Sequence, residues 1–299
     1  MSRVEAELQE SPGRSFARVR ARRSVGLGRL LQRSPVVIIG GALIIVVVLL
    51  ALGAQIIAPQ SPVSQTAPPL LRPGHEHLAG TDELGRDEFS RLIYGARVSL
   101  YVGVLAVSIA LALGATSGII AGFYGGWVDN ILMRMMDILF SLPAIVLAIA
   151  ITSILKPSLT NAMIAIGIVY APTFARIARG PTLAIVNLAY IEAARAVGIP
   201  NWKIMLRHVL PNVSAPLIVQ TTVSLSTAIL TEAALSFLGL GTQPPTASWG
   251  LMLSAARQYM LIDPWIAVLP GAAIALTVLG FNLLGDGLRD LLDPRIRTM

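Results

Sequence analysis

The 299 residues contain no cysteine, so neither a disulfide framework nor a thiolate metal site is available. Charge is scarce as well: Asp, Glu, Lys and Arg make up 13%, against about 25% in ordinary soluble domains. Lysine occurs only as Lys156 and Lys203, and neither is followed by Ser or Thr. The chain therefore has no P-loop and does not hold ATP by that route. Of the three histidines, two sit in His75-Glu76-His77. Two histidines and one acid are few ligands for a metal, so this stretch is read as a solvated loop. The acidic cluster at Asp82, Glu83 and Asp87 lacks the alternating oxygen ligands and terminal Glu of a calcium loop. No nucleophile stands beside a base in a catalytic pattern, which argues against an enzyme.

What the chain has is apolar length. Hydrophobic residues make up 55%, and several runs carry no charge over about 18 residues or more, the length of a spanning helix. Six spans are expected: Val36–Ala58, Val98–Ala121, Ile138–Leu155, Pro157–Ala175, Ser214–Leu238 and Trp265–Gly285. The first is 23 residues long, beyond a signal-peptide core, and is read as a retained helix. The net charge of +7 does not indicate nucleic-acid binding. Arg3, Arg14, Arg18, Arg20, Arg22, Arg23, Arg29 and Arg33 all precede the first span, and most other basic residues fall in loops. With the N-terminus inside, 17 basic residues lie on the inner side and six on the outer, which favours both termini inside.

Some residues inside or beside these runs need a reading of their own. Pro143, Pro172 and Pro216 are tolerable where neighbouring helices satisfy the freed backbone groups. Gly103, Ala106, Ala110, Gly114 and Gly118 make a small-residue stripe suited to close helix packing. Asp137 follows Arg134 by three residues, the spacing of a local pair. Glu232 lies 18 residues beyond Ser214, about 27 Å along the helix axis. It is expected near the outer interface, as an interfacial or subunit-pairing acid or a residue of a translocation path.

Between the fourth and fifth runs lies a polar, basic segment. Leu188 to Val197 is expected to be a short helix, with Gly198 as its terminator. Pro200 is expected in the first turn of a second helix. In that helix Trp202, Leu206 and Val209 share an apolar side, while Lys203 and Arg207 take the other. Leu210-Pro211-Asn212 is expected to end the segment. Glu192-Ala193-Ala194-Arg195, Gly198 and Leu210-Pro211 together resemble the "EAA" loop of ABC importer permeases; His208 stands where that pattern has an aliphatic residue. Gly80-Thr81-Asp82-Glu83-Leu84-Gly85-Arg86-Asp87 leads into an amphipathic stretch, Phe89, Leu92, Ile93 and Ala96. It resembles the outer loop of dipeptide and oligopeptide permeases. So does Gln243-Pro244-Pro245 with Ser248-Trp249-Gly250, although Trp249 also fits a plain membrane-interface anchor.

The resemblance implies an all-α membrane protein of six transmembrane helices with the type I ABC importer (MetI-like) permease fold. Its organisation would be a basic tail (1–35), a first helix (36–58) and an outer loop with an amphipathic helix (59–97). A core (98–285) carrying the coupling loop 186–212 and a cytoplasmic tail (286–299) would follow. The implied function is half of the translocation pathway of an ATP-driven importer of di- or oligopeptides in a bacterial inner membrane. The implied partners are a second, homologous permease, two ATPases that bind the ATP and magnesium, and an extracytoplasmic peptide-binding protein. No cofactor or metal is expected in this chain. A permease for another substrate such as nickel, or a self-sufficient secondary transporter or channel, is the alternative.

Overall fold

The computed structural model describes residues 35–292; the expectations for 1–34 and 293–299, including the eight tail arginines, lie outside them. Within the described residues the regular secondary structure is helical, apart from one isolated antiparallel bridge between Thr81 and Asp87. Apolar runs fold this way because, without water, every backbone N–H must find its acceptor inside the segment.

Helix α1 is Pro35–Leu52, followed by a further turn at Ala54–Ile57. Helix α2, Glu88–Tyr124, runs 37 residues without a break, about 55 Å. The amphipathic stretch and the second span are thus one rod, not two segments meeting near residue 97. Asp87 starts the rod: its carboxylate accepts the Ser90 N–H at 2.8 Å and satisfies a donor that the first turn leaves free. Gly125 ends it.

The expected third span is corrected. Gly126–Phe140 (α3) and Ala144–Leu155 (α4) meet at 90°. Pro143 has no N–H to donate and its ring would strike the carbonyl four residues back, so the first helix stops short of it. Helix α4 has 12 residues, about 18 Å, too short to cross alone. Helix α5, Leu159–Val186, follows, capped by Ser158, which accepts the Asn161 N–H at 3.1 Å. After α6 (Ala189–Ala196), helix α7 runs from Asn201 to Phe237 through a π turn at Met205–Val209. Helices α8 (Trp249–Ala256) and α9 (Trp265–Leu292) complete the order. The C-terminal tail expected from residue 286 is still helix to 292. Five helices (α1, α2, α5, α7 and α9) are individually long and apolar enough to cross a membrane, and the bent α3–α4 pair is a candidate sixth.

The core sits where α2 packs on α5. Gly114 and Gly118 of α2 lie directly against the carbonyls of Ala171 and Ala175. A single Cβ there would hold the rods apart, which is why the stripe is small. Nearer the other end, Gly103 faces Ile229 of α7, so the stripe serves two neighbours. Helix α1 lies on α9, with Gly40 against Leu284 and Gly280 against Ile44.

Candidate functional site

The segment between α5 and α7 is a bent knuckle. Helix α6 ends on Gly198, whose φ of +82° is left-handed. The Gly198 N–H donates to the Arg195 carbonyl at 2.9 Å and the Ile199 N–H to the Ala194 carbonyl at 3.1 Å. This pair of bonds is the Schellman closure, and it needs a residue without a Cβ penalty at the turn. Pro200 stands one position before α7 as its cap, not in its first turn.

Four side chains anchor the knuckle. Ile191, Ala194, Ile204 and Val209 are buried and join the core that includes Phe123 and Ala178. Ala194 is thus an internal residue, not part of a surface left open for approach. The expected grouping of Trp202, Leu206 and Val209 is also corrected. Val209 is buried, whereas Trp202 and Leu206 are more than half exposed. The π turn is the cause: it holds one residue more than an α turn, so Val209 lines up with Ile204, five residues earlier. The same turn carries the helix past Pro211. Leu210-Pro211 therefore lies inside α7, at the start of the long α-helical stretch that follows the π turn, and does not end the segment.

The face left open is made of Glu192, Ala193, Arg195, Val197, Gly198, Trp202, Lys203 and Arg207. Val197 is 82% exposed. The Arg195 guanidinium lies over the Phe123 ring at 5.0 Å, which ties α6 to the end of α2. Trp202 and Leu206 also border an apolar hollow of about 340 Å³ against Ala115 and Ile119 of α2.

Beside the knuckle, α3 is latched to α5 by two ion pairs. Arg179 grips Asp129 with two bonds of 2.5 Å. Arg176 donates to Asp137 at 2.7 Å and stacks over Phe140 at 4.2 Å. The local Arg134–Asp137 pair is not formed, because α5 brings a closer guanidinium to the acid. Arg134 instead lines the open cleft of about 860 Å³ between the two helices.

The opposite end is braced by the two Gly-rich signatures. Thr81 donates to the Pro68 carbonyl at 2.7 Å and accepts the Leu71 N–H at 2.9 Å. Asp82 accepts the N–H groups of Leu84 and Arg86, both at 2.9 Å, and the Arg86 Nε at 2.5 Å. Arg91 Nε stands 3.2 Å from Asp82 without hydrogen-bond geometry, while its Nη1 donates to the Pro62 carbonyl at 3.1 Å. Gly80 and Gly85 pass close beside the carbonyls of Leu71 and Ala67. Of this signature Leu84 alone is exposed. His77, expected in solvent, is buried with its Nδ1 at 2.9 Å from Asp87.

In the second signature Gln243, Pro244 and Pro245 are exposed, whereas Ser248, Trp249 and Gly250 are buried. Ser248 caps α8. Trp249 is no membrane anchor: it is 2% exposed, and its Nε1 donates to the Leu92 carbonyl at 2.9 Å. Gly95 leaves room for its ring. Glu232 is likewise fully buried within the chain and offers no surface carboxylate for subunit pairing. It accepts from Ser236 at 2.7 Å, Thr242 at 3.3 Å and Ser99 at 3.4 Å, joining α7, α2 and the loop after α7. Sequence reading missed Ser99, Ser236 and Thr242, since hydroxyls scattered over 143 positions carry no local pattern. Among the described residues, no three His, Asp or Glu side chains converge as metal ligands.

The described residues form a bundle of candidate membrane helices with an exposed elbow between two of them, and comparison with known proteins gives the class of transport permeases. Residues 114–298 match the family described as the binding-protein-dependent transport system inner membrane component. The dipeptide transport system permease protein DppC of Alkalihalophilus pseudofirmus is 47% identical over 90% of this chain and 88% of its own. The glutathione transport system permease protein GsiD of Pectobacterium atrosepticum is 43% identical over 90% of each chain. A chain of the MetNI methionine ABC transporter in an inward-facing conformation superposes with a TM-score of 0.56 at 20% identity. That comparison covers 69% of this chain and 97% of the other, and it shows a common fold. The chain belongs to the family of inner-membrane permease components of binding-protein-dependent ABC transport systems.

Proposed function

We propose that this chain forms half of the translocation pathway of an ATP-driven importer of di- and oligopeptides. The substrate class rests on the relatives, which are named for dipeptide and glutathione transport. The partners in this reading are a second, homologous permease, two ATPases that bind ATP and magnesium, and an extracytoplasmic peptide-binding protein. Both termini lie in the cytoplasm, and the knuckle faces the ATPases. The excess of basic residues in the segments on that side supports this orientation.

One observation carries the mechanism: the elbow is rigidly founded yet open. Ile191, Ala194, Ile204 and Val209 fix it in the core, while Glu192, Ala193, Val197 and Trp202 stay free for a docked surface. Because α7 runs unbroken from Asn201 to Phe237, a displacement of the knuckle moves the whole span. ATP drives the change only by binding one state of the assembly more tightly than the other. Closure of the ATPase pair would supply that difference, and the spans would rock between inward- and outward-facing states. Glu232 then acts as a brace of the moving unit rather than as a substrate contact.

The test is Gly198→Pro. Proline cannot reach φ +82° and removes the N–H that closes α6. With membrane insertion unchanged, ATP-dependent peptide uptake by the reconstituted complex should vanish and ATP hydrolysis should lose its stimulation by loaded binding protein. Normal uptake by this variant would refute the coupling assignment. Competition of uptake among dipeptides, longer peptides and glutathione settles the substrate class separately.

A further inference from the structure

The loop between α8 and α9 holds a feature that the coupling reading does not use. The Ile262 and Asp263 N–H groups both donate to the Tyr259 carbonyl at 2.9 Å, winding the chain into one tight turn. Asp263 is turned inward and is 2% exposed. Its Oδ1 accepts the Trp265 N–H at 3.3 Å, pinning the turn to the start of α9. The effect is to throw the next three residues outward: Met260 is 50% exposed, Ile262 64%, and Leu261 fully. No charge lies between Gln258 and Ile262.

An apolar turn left in water is unfavourable in proportion to its area, so an apolar surface that covers it would stabilise it. Two observations choose the cover. Leu261 is four residues from Trp265, the first residue of a membrane-spanning helix, and four residues reach at most about 14 Å. That keeps the turn near the bilayer surface, and Tyr259 and Trp265, residue types favoured at the headgroup level, flank it. The exposed face is also continuous. Trp265, Val268, Ala272, Leu276 and Leu279 are all exposed along one stripe of α9, the surface such a helix offers to lipid.

We infer that the turn Tyr259–Ile262 is a lipid-contact site, dipping its Met260-Leu261-Ile262 tip into the headgroup–acyl boundary at the loop end of the bundle. It would fix the height of α9 in the bilayer while the rest of the loop end engages soluble partners. The inference requires only that α9 crosses the membrane and is independent of the substrate.

The chain has no cysteine, so with partner subunits made cysteine-free the nitroxide sits only at the chosen position. The assembled complex, carrying Leu261→Cys, Met260→Cys or Gln258→Cys with a nitroxide, is placed in phosphatidylethanolamine/phosphatidylglycerol nanodiscs. Collision with oxygen should exceed collision with a water-soluble nickel chelate several-fold at 261 and 260, and the ratio should invert at 258. Nickel access equal to or above oxygen access at 261 and 260 would show an aqueous turn. Low access to both reagents would show a protein contact, with a second permease or the binding protein. Either result overturns the inference.

Discussion

Glycine and glutamate positions show how little space single side chains have. At Gly118 an added Cβ would meet the Ala175 carbonyl and the Ala178 side chain, and neither backbone can yield without separating α2 from α5. Overpacking of this kind costs about 1–3 kcal/mol. Gly118→Val should lower the thermal midpoint of the detergent-solubilised protein and reduce the folded fraction recovered from membranes. Glu232 is held by polar contacts: Ser99, Ser236 and Thr242 all direct hydroxyls at its carboxylate. Glu232→Leu strands them in a dry interior, at about 1–3 kcal/mol for each group left without a partner. Glu232→Gln keeps an acceptor there and should be much milder. Equal loss of thermal stability in the two variants would mean that shape, not hydrogen bonding, is what the site requires.

For the helices, termini and breaks decide more than propensity does. No atom stands within 4 Å of a Cβ added at Gly198, so only its left-handed backbone opposes substitution. Gly198→Ala should therefore cost about 1–2 kcal/mol and retain part of the uptake that Gly198→Pro loses. The latch of α3 on α5 depends on partly exposed pairs, since Arg179 is 36% exposed in its side chain. Such pairs contribute about 0–1 kcal/mol, although the two-bond grip of Arg179 favours the upper part of that range. A double-mutant cycle on Asp129→Asn and Arg179→Gln should give a coupling of about 1 kcal/mol. A coupling of zero would mean that the Asp129–Arg179 pair does not hold α3, leaving the latch to Arg176–Asp137 and the apolar side.

Considered whole, the molecule separates a working end from a braced end. The knuckle presents exposed side chains, whereas the Gly80–Asp87 and Ser248–Gly250 segments turn most of theirs inward to lock loops onto α2. In the orientation proposed above, the two ends face different compartments. Val197→Cys and Leu84→Cys, both at exposed sites of a cysteine-free chain, test this directly. A membrane-impermeant thiol reagent added to intact cells should label Leu84→Cys and leave Val197→Cys untouched until the cells are opened and the ATPases removed. The reverse pattern would invert the topology and remove the knuckle from any cytoplasmic ATPase.

The sequence by itself determined that this is a helical membrane protein, roughly where most of its long apolar rods lie, and which turn closes on Gly198. Those properties are local: hydropathy over about 20 residues and a glycine able to take a positive φ; that Pro143 breaks the third run instead of being tolerated within it appeared only in the fold. Tertiary structure decided everything that depends on which rods become neighbours. It paired Asp137 with Arg176 in place of Arg134, took His77 out of solvent, and buried Trp249 against α2 instead of leaving it as a membrane anchor. Glu232 became internal for the same reason, as residues far apart in the chain closed around it. The π turn shows the boundary between the two most clearly. One extra residue in a helix leaves composition and hydropathy unchanged but rotates every later side chain, so Val209 turned inward while Trp202 and Leu206 stayed outside.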